Sequence, residues 1–140
     1  MIAINQKRLL MGSFLGFAVW AIWSGFLNLA VLASRYRVEQ DAGHLLKHHS
    51  YSVYLLSWFL TIFLFSAIAA QLYAWARASL GPGLRTALTV GPLVGFLAAM
   101  QIEVITSRFP IDHRFTVLWI IDLVVGAILA TLVAAWVYKD

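Results

Sequence analysis

The chain has 140 residues, of which 62% are hydrophobic and 11% are charged, whereas an ordinary soluble domain is about 45–50% apolar and about 25% charged. A soluble fold of this length leaves about a third of the surface of its unfolded chain in contact with water, and here that surface would be largely apolar. Disorder is excluded as well, because disordered chains are poor in aromatic residues and rich in charge. The composition therefore predicts an integral membrane protein.

The charged residues add little to this class. Ten lysine and arginine residues against six acidic residues give a net charge of +4. The basic residues are spread over all the predicted loops without a dense run, which is typical of topology signals and headgroup anchors, and no nucleic-acid partner is predicted. The chain has no cysteine, which excludes disulfides and thiolate chemistry.

Four apolar segments each exceed the ~20 residues that a helix needs to cross a hydrocarbon core of ~30 Å. They are residues 9–33, 51–76, 86–107 and 115–138. Helices satisfy their own backbone hydrogen bonds inside a bilayer, and the sequence lacks the alternating pattern of barrel strands. Short connections, with a tight turn at Gly81-Pro82-Gly83, favour neighbouring antiparallel helices. We therefore predict an all-α membrane protein, an antiparallel four-transmembrane-helix bundle in a single domain of residues 1–140.

The first segment also has the pattern of a secretory signal, since it follows Lys7 and Arg8. Its apolar run is much longer than the ~7–15 residues of a signal, so we predict a retained helix. The basic residues divide evenly between the two sides of the membrane and do not decide the orientation. The free amino terminus favours cytoplasmic termini, with residues 34–50 and 108–114 outside, in what we expect to be a bacterial inner membrane.

Small residues recur at spacing four in every predicted helix. This spacing forms a flat strip on one helix face, which lets two backbones approach closely. All the strips lie in the half nearer the termini, so the bundle is predicted to be tight there and looser at the opposite end. Internal packing is the first interpretation of the strips, and a dimerisation face is the alternative. The residues are Gly12 and Gly16, then Ser66, Ala70 and Ala74, then Gly91 and Gly95, and finally Gly126, Ala130 and Ala134.

Two acidic residues lie inside predicted spans. An acid at a helix centre costs about 2.5–3.5 kcal/mol on insertion scales, so such a residue is a functional candidate. Glu103 and Asp122 lie about 6 and 10 Å inside the same boundary, at ~1.5 Å per residue, and we predict that their carboxylates approach each other. Arg108 and Arg114 flank the connecting loop and are predicted to reach inward and pair with them. A structural ion pair or a protonated pair is the alternative to a functional role.

The histidines all lie in the two loops on this same side. They are His44, His48, His49 and His113. The first two share one face if residues 41–50 are helical, and Asp112 approaches from the other loop. Histidine and carboxylate ligands together indicate a site for zinc, copper or nickel, or a response to pH near neutrality. The alternative is an interfacial turn with solvated imidazoles, and no bound cofactor is predicted.

Both end helices carry a resemblance. The opening run Gln6-Lys7-Arg8-Leu9-Leu10-Met11-Gly12, with Gly16, Trp20 and Trp23 following, is similar to the first helix of small bacterial four-helix membrane proteins that have no assigned activity. The closing run Trp119-Ile120-Ile121-Asp122, with Gly126-Ala127 and Trp136-Val137-Tyr138-Lys139, resembles their last helix. This resemblance implies the four-helix topology and carries no function.

The sequence contains no nucleophile elbow, HExxH motif or phosphate loop, so an enzyme is not predicted. Our first hypothesis is an accessory or scaffold subunit of a larger membrane assembly, in contact with the lipid bilayer and with other membrane subunits or further copies of itself. The second is an ion-, proton- or lipid-handling protein that uses Glu103 and Asp122. The third is a histidine-based metal or redox-cofactor site at the loop face.

Overall fold

A computed structural model describes residues 4–47 and 51–138. Within these residues every regular element is helical, and no strand occurs. The elements are α1 (Gln6–Leu27), a π-helical turn (Asn28–Leu32), α2 (Ala33–Asp41), α3 (Tyr51–Leu80), α4 (Leu84–Thr106) and α5 (His113–Val137). The first three run on as one helix of 36 residues, which leaves four helices long and apolar enough to cross a membrane. The predicted all-α, four-helix fold class is confirmed.

The first helix extends further than predicted. Residues 34–41, which we predicted as part of a loop, are helical up to Asp41. This stretch is rich in charge but contains neither glycine nor proline. The helix ends just before Gly43, whose φ of 81° is a conformation that glycine adopts readily. The charges therefore mark where the chain leaves the predicted hydrocarbon region and not where the helix ends.

Helix α5 packs against α1, α3 and α4. Its contact with α1 is antiparallel and close, because small residues face each other over two successive turns. A Cβ atom added to Gly12 would lie 3.4 Å from Cα of Ala134, and one added to Gly16 would lie 3.1 Å from the carbonyl oxygen of Ala130. The two pairs step by four residues in opposite directions, which sets the register of this interface.

Helix α4 approaches α5 more closely still, from another side. A Cβ atom added to Gly95 would lie 2.6 Å from Cα of Val124, and one added to Gly91 would lie 2.9 Å from Cα of Ile128. Val124 follows Asp122 by two residues, which is about 200° around a helix. Helix α5 therefore presents nearly opposite faces to α1 and to α4, and Asp122 lies on the face toward α1.

Side chains of α3 are less buried at the end of the bundle that carries the two longer connections. No described side chain between residues 52 and 61 of α3 is buried, and the buried residues of this helix begin at Ile62. The first helix behaves differently, since Leu27 and Leu32 form a buried cluster with Phe115 of α5 at this end. The opening therefore lies beside the first half of α3 and leaves the contact between α1 and α5 intact.

At the other end, polar contacts tie the α3–α4 turn to the chain termini. The hydroxyl of Tyr73 accepts a hydrogen bond from the backbone N–H of Gly83 at 2.9 Å. The Arg77 guanidinium donates to the carbonyl oxygen of Tyr138 at 2.6 Å, and the hydroxyl of Tyr138 donates to the carbonyl oxygen of Asn5 at 3.2 Å. These bonds hold both ends of the described chain and the turn on one side of the bundle.

Candidate functional site

Asp122 lies at the centre of a buried polar cluster between α1 and α5. Its side chain is 0% exposed. Its Oδ2 atom accepts hydrogen bonds from the hydroxyl of Ser24 at 2.8 Å and from the amide of Asn28 at 3.3 Å. In the described part of the chain Asp122 takes part in no ion pair, and its Oδ1 atom has no hydrogen-bond partner. Because a buried carboxylate without a cation is costly, packing alone does not explain this residue.

The register of the α1–α5 interface brings these groups together. Ser24 and Asn28 are four residues apart, so they share one face of the first helix. Stepping by fours along this face from Gly16 leads to Trp20 and then to Ser24, while the facing positions of α5 run from Ala130 back to Asp122. Ser24 therefore meets Asp122 by the same repeat that brings the small residues into contact.

The π-helical turn begins at Asn28, inside this cluster. The backbone N–H of Asn28 bonds to the carbonyl oxygens of Gly25 and Ser24. The side-chain amide of Asn28 donates to the same Ser24 oxygen at 2.8 Å. A side chain that competes for the i−4 carbonyl loosens the α-helical hydrogen-bond ladder, which gives a local cause for the π turn. Single π turns in α-helices are frequent at functional sites.

A chain of hydrogen bonds leads from the cluster toward the membrane surface. The hydroxyl of Tyr36 in α2 donates to Oδ1 of Asn28 at 3.3 Å. The indole N–H of Trp119 donates to the hydroxyl of Tyr36 at 2.9 Å. These bonds thus connect Asp122 through Asn28 to Tyr36 of α2 and on to Trp119 of α5, all through neutral side chains.

Two tryptophans of α1 enclose the cluster. The indole N–H of Trp23 donates to the backbone carbonyl of Asp122 at 3.1 Å. Trp20 is 0% exposed and lies directly against Gly126, one turn further along α5. The indole nitrogen of Trp20 is a second buried atom without a hydrogen-bond partner among the described residues. The two rings therefore cover α5 at Asp122 and one turn beyond it.

The sequence led us to predict that the carboxylates of Glu103 and Asp122 approach each other. The structure does not bring them together. Asp122 bonds to α1, whereas Glu103 is exposed near the end of α4 and lines a cavity with His113 and Thr116. Thr116 precedes Asp122 by six residues, about 240° around α5. The carboxylate of Glu103 therefore lies beside a different face of α5 from the one that carries Asp122.

The predicted pairing of Arg108 and Arg114 with these carboxylates is also wrong. Both arginines are exposed, and within residues 4–47 and 51–138 neither forms an ion pair with Glu103 or Asp122. Arg108 lies in the turn after α4, and Arg114 lies in the first turn of α5. Side chains at helix ends have water and headgroups within reach, so they do not need to turn inward.

The structure separates the two histidines that it describes. The Nδ1 atom of His44 lies 2.7 Å from Oε2 of Glu39, while His113 lines the cavity beside Glu103. The helix ends at Asp41, so the helical face predicted for residues 41–50 does not form as far as Lys47. His48 and His49 lie outside the described residues. Among the residues that are described, no group of three His, Asp or Glu side chains is placed to hold a metal.

Glu39 is a polar residue that our sequence reasoning missed. Its side chain is buried, and its Oε1 atom accepts a hydrogen bond from the backbone N–H of Asp112 at 3.0 Å. Its Oε2 atom contacts His44, and Arg35 lies 3.6 Å from the carboxylate of Asp112. Glu39 therefore ties α2 to the start of α5. The sequence feature that could have placed Glu39 on a helix is the absence of a helix breaker before Gly43.

Gln101 is a polar residue on the outer surface of α4. It lies five residues before the end of the helix, about 7.5 Å inside it at ~1.5 Å per residue. The residue is exposed, and its amide forms no hydrogen bond with the described part of the chain. Thr61 on α3 is exposed as well, but its hydroxyl donates to the carbonyl oxygen of Ser57 at 2.8 Å. Among the described residues the amide of Gln101 thus has no hydrogen-bond partner, although it lies on a helix long and apolar enough to cross a membrane.

Comparison of the chain with protein-family models finds no match. Comparisons with curated proteins and with solved structures find none either. The resemblance of the end helices to small bacterial four-helix membrane proteins stays a prediction, and the function is inferred from the geometry alone.

Proposed function

We propose that this protein is an accessory subunit of a larger membrane assembly, and that α4 packs against a transmembrane helix of a different protein. The observation that carries this proposal is Gln101, whose amide is exposed at membrane depth. Burying an amide in an apolar medium without a hydrogen bond costs about 1–3 kcal/mol on protein mutational scales. A partner helix with a polar side chain at this depth removes that cost, because such side chains hydrogen-bond across helix interfaces.

The exposed first half of α3 supports the same interpretation. Residues 52–61 have no buried side chain, and Ser57 and Thr61 place two further polar groups on this part of the surface. Glycine and alanine strips occupy the interfaces within the chain, so they do not supply the contact with another subunit. The proposed partner therefore packs at the end of the bundle with the two longer connections, where the side chains of α3 are least buried.

The test is native mass spectrometry of the tagged protein, extracted gently from its own membrane. We expect a different subunit to leave with it in a fixed stoichiometry. Gln101→Leu should weaken that complex roughly three- to thirty-fold, the range that one interhelical hydrogen bond of about 0.6–2 kcal/mol provides. Met100→Leu changes a neighbouring exposed apolar residue and serves as the control that should leave the complex intact.

Two outcomes would overturn the proposal. One is a protein that leaves the membrane alone, or only with copies of itself. The other is a complex whose stability is the same with Gln101→Leu as with the wild type. A captured protein that is indifferent to Gln101 does not count as the partner.

We propose proton handling at Asp122 as a second candidate function, because Asp122 is fully buried and, among the described residues, has no cation beside it and one oxygen without a hydrogen-bond partner. In proteoliposomes that contain a pH-sensitive dye, an imposed membrane potential should drive proton entry faster than in empty vesicles. Asp122→Asn should return the rate to that of empty vesicles. Asp41→Asn, which changes an exposed carboxylate at the end of α2, should have no effect. A wild-type rate equal to that of empty vesicles would rule this function out.

A further inference from the structure

A small polar cavity lies between the end of α4 and the start of α5. Its volume is about 120 Å³, several times the ~30 Å³ that one water occupies in the liquid. Phe109 and Ile111 of the connection form its apolar edge. Its polar lining consists of Glu103, Thr106, Ser107, His113 and Thr116.

Several of these polar groups have no partner within the protein. Thr116 is only 3% exposed, yet its hydroxyl forms no hydrogen bond with the described residues. The carboxylate of Glu103 and the ring of His113 likewise have no hydrogen bond or ion pair within residues 4–47 and 51–138. Because the Thr116 residue is nearly buried and lines this cavity, its hydroxyl is available to a group that enters the cavity beside the carboxylate.

The remaining hydroxyl groups face the cavity as acceptors. Thr106 donates to the carbonyl oxygen of Ile102 at 2.7 Å, and Ser107 donates to that of Val104 at 3.0 Å. Both hydroxyl protons are therefore used, while their oxygen lone pairs remain available. A carboxylate surrounded by hydroxyl acceptors fits a cation with several N–H donors, and a primary ammonium group has three.

The position of the cavity identifies the source of such a cation. Glu103 lies three residues before the end of α4, about 4.5 Å along the axis. The exposed Arg108 and Arg114 are the chain neighbours of the lining residues Ser107 and His113. We propose that this cavity binds the primary ammonium group of an aminophospholipid headgroup, with Glu103 and Thr116 as its ligands and the two arginines near the lipid phosphate.

The experiment compares two zwitterionic lipids with identical acyl chains. Phosphatidylethanolamine has three N–H donors, and phosphatidylcholine has none. Native mass spectrometry of the protein in detergent with equal amounts of both should show preferential retention of phosphatidylethanolamine. Glu103→Gln should reduce that preference roughly ten-fold or more, the change expected on losing a hydrogen bond to a charged group, and Thr116→Val should reduce it in the same direction.

Matched controls separate this site from general effects. Asp41→Asn removes an exposed carboxylate elsewhere, and Thr89→Val removes an exposed hydroxyl on α4 that bonds only to its own helix. Both variants should keep the wild-type preference. Free ethanolamine should compete only weakly, since it lacks the phosphate and the acyl chains.

Three results would overturn the proposal: equal retention of the two lipids, a preference that survives Glu103→Gln, or complete displacement of the lipid by dilute free ethanolamine. The last of these would assign the site to a soluble amine. The site is separate from Gln101 and Asp122, so neither proposed function depends on this result.

Discussion

Gly126→Ala is expected to lower the free energy of unfolding by on the order of 3 kcal/mol, the upper part of the range for overpacking a rigid core. The added Cβ would lie 2.6 Å from Cε2 of Trp20 and closer still to Nε1 and Cδ1. Trp20 is fully buried, so its ring cannot move aside without separating α1 from α5. Thermal unfolding in detergent, followed by circular dichroism, measures the effect.

The chain offers a control and a rescue for this prediction. A Cβ added to Gly25 of α1 meets no atom within 4 Å, so Gly25→Ala should be neutral or stabilise by up to about 1 kcal/mol. Combining Gly126→Ala with Trp20→Leu should cost less than the sum of the two single changes, because the smaller side chain removes the clash. Strict additivity of the two changes would show that Trp20 does not cause the effect.

Asp122→Ala is expected to lower the free energy of unfolding by about 1–3 kcal/mol, because it leaves a void and deprives Ser24 and Asn28 of their shared acceptor. Asp122→Asn should be at least as stable as the wild type. The asparagine keeps an oxygen for both donors and removes the cost of burying a carboxylate without a cation. Chemical or thermal unfolding of both variants in the same detergent measures the difference.

Ser13→Ala supplies a control on α1, the helix that carries Ser24, since the hydroxyl of Ser13 bonds only to the carbonyl oxygen of Leu9. It should cost less than Asp122→Ala. If Asp122→Asn were as unstable as Asp122→Ala, the negative charge itself would stabilise the bundle, and our description of an uncompensated carboxylate would be wrong. A stable Asp122→Asn variant also makes the proton-flux test a test of function and not of folding.

The polar residues show which parts of the candidate site could be predicted from the sequence. The cost of an acid in a membrane was enough to single out Asp122. Its partner was chosen wrongly, because sequence neighbourhood made Glu103 on α4 the nearest candidate. The actual partners, Ser24 and Asn28, are 98 and 94 residues away along the chain. Serine and asparagine in an apolar helix give no signal of their own about which helix they face.

Glu39 was missed for a related reason. Its charged neighbours suggested a loop, and a loop carboxylate is ordinarily solvated. Only the continuation of the helix through the π turn carries Glu39 to the start of α5, where it meets the backbone N–H of Asp112. The length of the helix thus determined the burial of the side chain.

Local composition and a bilayer of known thickness were enough to predict the fold class, the four spans and the positions of the small residues. The tertiary structure alone decided which face of α5 meets which neighbour. Residues that are two positions apart in a helix point about 200° apart. Asp122 and Val124 therefore face different helices although they are almost adjacent in sequence. In an apolar chain nearly every side chain suits either lipid or a neighbouring helix, and only the packed register decides between them.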